Sequence, residues 1–248
     1  MKCIELVCVV FCACLVVGCG QDQDKKTPPQ NEEEARLMID IHWHGHDTFR
    51  VVDAGKQIYF DPYKLPDGLP KADVIFITHD HGDHFSEPDV AKIRTDKTKL
   101  VAPLDVAAKI GPAAVALKPG DEATLDALKV RAVRAYNINK FRSPGVPYHP
   151  KEKGWLGYVV TLSDGTTLYH AGDTDFTPEM KTVTVDVALL PVSGKYVMTA
   201  EEAVEAANTI MPKVAIPMHY GSIVGSDKDA QILKEGFKGE TRILKLEK

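Results

Sequence analysis

Residues 79 to 84 read His-Asp-His-Gly-Asp-His, which places three imidazoles and two carboxylates within six positions, directly after the apolar run Val74-Ile75-Phe76-Ile77. Neutral imidazole and ionised carboxylate are the ligands that hard-to-borderline divalent metals prefer. A strand end followed by a glycine-loosened turn lets several of them converge on one point. The alternative, a polar surface turn rich in histidine, sits poorly with such density at the end of a buried strand. His79 and His81 are two apart, so an extended backbone puts both on one face, where they can share one ion. Asp83 and His84 follow Gly82 and can be turned to a second point, where two metals about 3.5–4 Å apart would activate a shared water. Each centre still lacks ligands.

The missing ligands must come from other strand ends, and His149, Asp173 and His219 have that context. Asp173 lies in His170-Ala-Gly-Asp-Thr174, just past an apolar strand; taken alone it could equally be an Asx-turn residue. His219 ends the strand Val214–Met218 and, taken alone, could equally be a core histidine. Asp61, after the strand Gln57–Phe60, reads either as a carboxylate that orients a ligand histidine or as a turn former before Pro62. His42, His44 and His46 alternate on what should be a strand, so all three could share one face.

The elements that must carry these residues are short. Strands are expected at Ile39–His42, Phe49–Val52, Gln57–Phe60, Val74–Thr78, Leu100–Ala102, Val130–Ala135, Tyr158–Leu162, Thr167–His170, Val185–Leu190, Val214–Met218 and Arg242–Leu246. Ser163-Asp164-Gly165 signals a hairpin turn. Ser86 can cap a helix, Thr199-Ala-Glu-Glu202 has the form of a capping box, and Asp227 to Glu235 reads as a further helix. Strands interleaved with helices indicate a mixed α/β architecture.

Thr78-His-Asp-His-Gly-Asp-His84 resembles the signature of the metallo-β-lactamase superfamily, and the resemblance extends across the body of the chain. Phe60-Asp61-Pro62, Tyr169-His-Ala-Gly-Asp-Thr174 and Ile216-Pro-Met-His-Tyr-Gly221 occur in the superfamily's order. Their wording is closest to the branch containing ascorbate-6-phosphate lactonase and the N-acylphosphatidylethanolamine phospholipase D enzymes. The resemblance implies a four-layer αβ/βα sandwich and two divalent ions, zinc first, with manganese or iron also compatible. It implies that His79, His81 and His149 bind one ion, that Asp83, His84 and His219 bind the other, and that Asp173 bridges them. His170 is the rival to His149, and is otherwise read as a residue supporting the site. Relatives carry a tryptophan-leucine-glycine-histidine pattern near position 46, so Trp43, Gly45 and His46 match while His44 departs. His46 is therefore expected at the pocket rim, and His42 and His44 in packing or at the surface.

The expected activity is hydrolysis of an ester, lactone or phosphodiester by a metal-bridging hydroxide, since metal binding brings the pKa of water from about 15.7 toward 7. No side-chain nucleophile is then needed, consistent with a body that contains neither cysteine nor a Gly-x-Ser-x-Gly elbow. Asp83 would orient the water and carry its proton; Tyr220 and His170 are candidate donors to the substrate or leaving group. True β-lactamases of this superfamily commonly use a cysteine in the second site, where this chain offers Asp173. A reading from another class is a non-catalytic surface lipoprotein that binds a metal or ligand.

The chain has 248 residues, enough for a large core, and a net charge of −5 with no long basic block, which argues against nucleic acid as partner. All five cysteines lie within the first nineteen residues, so the body has no disulfide framework. Lys2, the apolar stretch Leu6 to Val17 and Gly18-Cys19 have the layout of a signal peptide. Val16-Val17-Gly18-Cys19 resembles a bacterial lipobox. The implied organisation is a signal peptide at 1–18, a lipidated Cys19 opening a polar tether at 19–36, and a hydrolase domain at 37–248. The protein would be exported, anchored in the cell envelope, and act on a small-molecule or lipid substrate.

Overall fold

The structure, a computed structural model, describes residues 39–248. The expected signal peptide, Cys19 and tether lie outside the described residues. Strand β1 (Asp40–Gly45) pairs with β2 (Thr48–Asp53) across a two-residue turn, His46-Asp47, and β3 (Lys56–Phe60) returns through Ala54-Gly55. Ala54 and Gly55 have φ of 49° and 83°, the paired positive values that match the twist of a tight hairpin. The chain then switches to parallel pairing: β4 (Val74–Phe76), helix α1 (Glu87–Ile93), β5 (Lys99–Pro103), α2 (Leu104–Ile110) and β6 (Ala114–Leu117) complete a six-stranded sheet in sequential order. Ser86 caps α1 through its hydroxyl, as its position suggests.

Period-two alternation divides this sheet into two faces. Ile58, Phe60, Val74, Phe76 and Val101 enter the main core, where Phe76 meets Tyr158 of the second sheet with ring centroids 5.0 Å apart. Tyr59, Ile75, Ile77, Leu100 and Ala102 face the other way and pack with Val90 and Ile93 of α1 and Val106 and Ala107 of α2.

The second half repeats the scheme. Strands β7 (Glu122–Leu125) and β8 (Leu128–Arg134) lead to a small ribbon of β9 (Phe141–Ser143) and β10 (Val146–Pro147). Then come β11 (Leu156–Thr161), β12 (Thr167–His170), β13 (Val187–Pro191), α3 (Ala200–Ile210), β14 (Val214–Met218), α4 (Asp227–Gly236) and β15 (Glu240–Thr241). The seven-stranded sheet runs β15-β14-β13-β12-β11-β8-β7. Thr199 and Glu202 form the expected capping box on α3, whose Ala203, Ala206, Ala207 and Ile210 recur at helical spacing and are buried. The layers run helices, sheet, sheet, helices.

One expected strand is corrected. Arg242–Leu246 is not continuous: β15 precedes it, pairing with Val214 and Ala215 of β14, and Leu246 makes a bridge to Trp43 of β1. The chain crosses here from one sheet to the other, so no single ladder can hold the segment.

The layout gathers the carboxyl ends of β3, β4, β8, β12, β13 and β14 at one edge, where open α/β sheets place their sites. Gly157 of β11 sits where the turn after β12 passes against it: a Cβ there would lie 2.6 Å from the Ala171 carbonyl oxygen and 2.7 Å from that of His170. Gly157→Ala is expected to destabilise the fold by about 1–3 kcal/mol or more through overpacking against backbone. Urea unfolding with an unchanged midpoint would contradict this packing.

Candidate metal centre

Two histidine clusters face each other at the shared edge. His79, His81 and His149 offer ring nitrogens within 4.8 Å of one another, and so do His46, His84 and His219. His79 and His81 follow the end of β4, with Nε2 of the first 3.0 Å from Nδ1 of the second. His149 follows β10, and His219, with φ of 59°, follows β14. Asp173 lies between the clusters and is buried. Its Oδ2 is 3.2 Å from His149 Nε2, 3.3 Å from His219 Nε2 and 4.0 Å from His79 Nε2, and its Oδ1 is 3.4 Å from His84 Nε2.

The histidines are aimed from behind, and the donors and acceptors are assigned from the network. Asp61, just past β3 and held at φ of 43°, accepts from Thr78 N at 2.7 Å, from Thr78 Oγ1 at 2.6 Å and from His84 Nδ1 at 2.8 Å. Thr78 Oγ1 spends its only proton on Asp61, so at 2.9 Å it accepts from His79 Nδ1. Asn137 Oδ1 accepts from His149 Nδ1 at 3.0 Å, its amide end being committed to Asp175 and the Tyr196 carbonyl. Ser193 Oγ lies 2.8 Å from His219 Nδ1. With Nδ1 engaged in each case, Nε2 of these four histidines is left pointing toward Asp173, the arrangement that supporting partners give metal-binding imidazoles.

The buried donors fit a cation. Among the described residues, His84 Nε2, His149 Nε2 and Asp173 Oδ1 have no hydrogen-bond partner. Burial pushes His79 well below the usual imidazole range, with His84 adding to the effect, and burial with His149 lowers His81 to about 4. Burial also lowers His46 to about 4, with His219 and His84 contributing against a raising contact from Asp83. Those rings are therefore neutral and keep a lone pair for a metal. Burial alone would lower His84 and raise Asp173. The carboxylates of Asp173, Asp61 and Asp47 instead raise His84 well above its ordinary value, and His219, His84 and His149 hold Asp173 well below its own. Three carboxyl groups crowd this one ring, and burial with the charge of Asp173 pushes Asp47 well above the usual carboxylate range, a crowding of acidic groups that a divalent ion would relieve.

The structure places each candidate residue. His149, not His170, joins His79 and His81. His170 is fully buried, stacked on Phe60 at 5.1 Å, with Nε2 2.9 Å from the Asp47 carbonyl oxygen and Nδ1 3.3 Å from Gly172 N. Both its nitrogens are taken by backbone, which leaves it holding a turn and not facing a substrate. Asp83 stands toward the mouth, its Oδ2 3.2 Å from His46 Nε2 and 4.0 Å from His84 Nε2. His46 is buried inside the second cluster, 4.1 Å from the His219 ring, and also lines the cavity beside Tyr220. The alternation expected of His42, His44 and His46 ends at Gly45, whose φ of 100° turns the chain. His42 pairs with Asp40 and Glu247, and His44 reaches the Glu247 carbonyl. Tyr220 is buried and stacked on Trp43 at 4.9 Å, beside a separate cavity of about 290 Å³.

Above the cluster lies a cavity of about 260 Å³ whose floor is His81, Asp83, His149 and Asp173 and whose walls include Tyr148, Tyr196 and Ile223. Sequence reasoning missed Asp47, Thr78, Asn137 and Ser193 as parts of the site. The last two stand two or three residues past the ends of β13 and β8, so the strand-end rule that found Asp173 would have flagged them.

A family model described as the beta-lactamase superfamily domain matches residues 40–219. A UPF0173 protein of Pyrococcus abyssi is 35% identical over 209 residues, covering 81% of this chain and 89% of its own. A UPF0173 metal-dependent hydrolase of Geobacillus sp. strain WCH70 is 31% identical over 199 residues, covering 73% of this chain and 85% of its own. A crystal structure from Parabacteroides distasonis, provisionally named a metal-dependent hydrolase, superimposes with a TM-score of 0.75 at 34% identity, over 84% of this chain and 94% of that one. An isothiocyanate hydrolase from Delia radicum gut bacteria shares the fold at a TM-score of 0.66 and 17% identity, over 85% of this chain and 97% of its own.

Ser193 reaches the cluster through His219, so Ser193→Ala is expected to weaken metal binding about 10–100-fold with little effect on metal-free stability. Competition against a chromophoric chelator measures this; wild-type metal affinity would contradict the assigned role.

Proposed function

Because the chain belongs to the beta-lactamase superfamily and, within it, to the UPF0173 metal-dependent hydrolases, we propose that it cleaves an ester, lactone or phosphodiester at a centre of two divalent ions. The observation that carries this reading is the Asp173 carboxylate, shared between the histidines of both clusters. His79, His81 and His149 would hold one ion and His84 and His219 the other, with Asp173 common to both and Asp83 at the mouth. Such ions supply a water-derived nucleophile at neutral pH and polarise the oxygen under attack.

The rest falls to this chain's own side chains. Asp83 is held ionised, because its contact with His46 and the charge of His84 outweigh the effect of burial. It therefore accepts a hydrogen bond at the cavity floor and orients the group that attacks. Tyr148 and Tyr196 meet edge to face at 4.8 Å and give the substrate an apolar wall. Arg142 lies 5.8 Å over the Tyr148 ring and Lys195 5.2 Å over that of Tyr196, so cations flank the mouth. An apolar wall with cations at its rim suits a substrate that carries both an apolar portion and negative charge, which favours a phosphodiester or an acid-bearing ester or lactone. A lipidated Cys19 would hold the enzyme at the cell envelope and bring this mouth to small molecules or lipids there.

Stripping metal from the purified protein is expected to abolish hydrolysis of a phosphodiester and lactone panel, with zinc or manganese restoring it. His81→Ala should lose more than the about 10–100-fold that removing a supporting partner costs. Full activity in that variant would sink the proposal.

A further inference from the structure

The β1–β2 turn carries a group that the two-ion scheme above does not use. Asp47 is 0% exposed, and neither of its carboxylate oxygens has a hydrogen-bond partner among the described residues. An ionised carboxylate out of water without donors is among the costliest groups a fold can contain, and it calls for a cation or a proton. Its ligand atom lies within 4.8 Å of those of His84, Asp173 and His219.

Nor can the turn swing away. The Asp47 carbonyl faces His170 Nε2 at 2.9 Å, and the His46 carbonyl accepts from Trp43 Nε1 at 3.0 Å and from His219 N at 3.2 Å. Thr48 Oγ1 donates to the Asp61 carbonyl at 2.6 Å on the following residue. Backbone pinned from both sheets holds the side chain out of solvent, with no hydrogen-bond partner among the described residues.

We infer that Asp47 is a further ligand of the second metal position, beside His84, His219 and Asp173. The inference rests on the metal centre proposed above. It makes the two positions chemically unequal: with Asp173 common to both, the first has three imidazoles and one carboxylate, and the second has two carboxylates with His84 and His219, the His46 ring standing beside them. The oxygen-richer set suits a harder ion, such as manganese(II), better than the imidazole-rich one does.

Equilibrium dialysis of the metal-free full chain against Mn²⁺ and, separately, Zn²⁺, with melting curves for every form, tests this. Wild type should bind two ions. Asp47→Asn should keep one and bind the other at least tenfold more weakly, with the larger loss for Mn²⁺. Metal-free Asp47→Asn should melt at or above the wild-type temperature, because an amide replaces an unpaired carboxylate, and its rise on adding metal should be smaller. Asp47→Ser should show the same loss and serves if the amide variant does not fold. Two ions bound to both variants with wild-type affinity would overturn the inference and make Asp47 a structural carboxyl. Wild type binding no ion would overturn the metal centre itself.

Discussion

The Asp173 carboxylate is the interaction on which the site depends. It is buried, lies within 3.4 Å of Nε2 of His84, His149 and His219, and has no hydrogen bond on Oδ1 among the described residues. Breaking a buried charge pair by removing one partner costs about 3–5 kcal/mol, because the survivor stays out of water uncompensated. Each partner hangs from a different element: the turn after β4, the loop after β10, the end of β14. The carboxylate therefore needs both sheets docked in register, and the docked sheets need a positive charge between them. Fold and metal chemistry are two sides of one electrostatic requirement.

Around that carboxylate the chain controls which nitrogen of each imidazole is free. Thr78 is the economical part of this control. One hydroxyl proton goes to Asp61, and so its lone pair must meet His79 Nδ1. Asp61 in turn fixes His84. A single carboxylate just past β3 thereby orients histidines belonging to both clusters. Asn137 and Ser193 do the same for His149 and His219 from the second sheet. His170 works one layer further back, on the backbone that presents Asp47.

Much of this was legible in the chain, for identifiable reasons. The run from His79 to His84 is contiguous, so local spacing displays it, and Asp173 and His219 stand directly after strands that strong apolar patterning reveals. The expected orienting role of Asp61 matches its contact with His84. His149 was harder, since its loop has no periodicity and only three-dimensional closure brings it to His79 and His81. The turn His46-Asp47 was misjudged because alternation was extended through it; positive φ at Gly45 and His46 breaks the period and turns His46 in toward His84 and His219. The C-terminal strand was misplaced because β-rich composition does not say which sheet a segment joins.

The central claim is that Asp173 joins two metal positions held by histidines of both sheets. A crystal structure of the metal-loaded protein, with anomalous scattering recorded at the absorption edges of zinc and manganese, tests it most directly. Two anomalous peaks should appear, one against His79, His81 and His149 and one against His84 and His219, both in contact with the Asp173 carboxylate. A single peak, or two that leave Asp173 unligated, would contradict it.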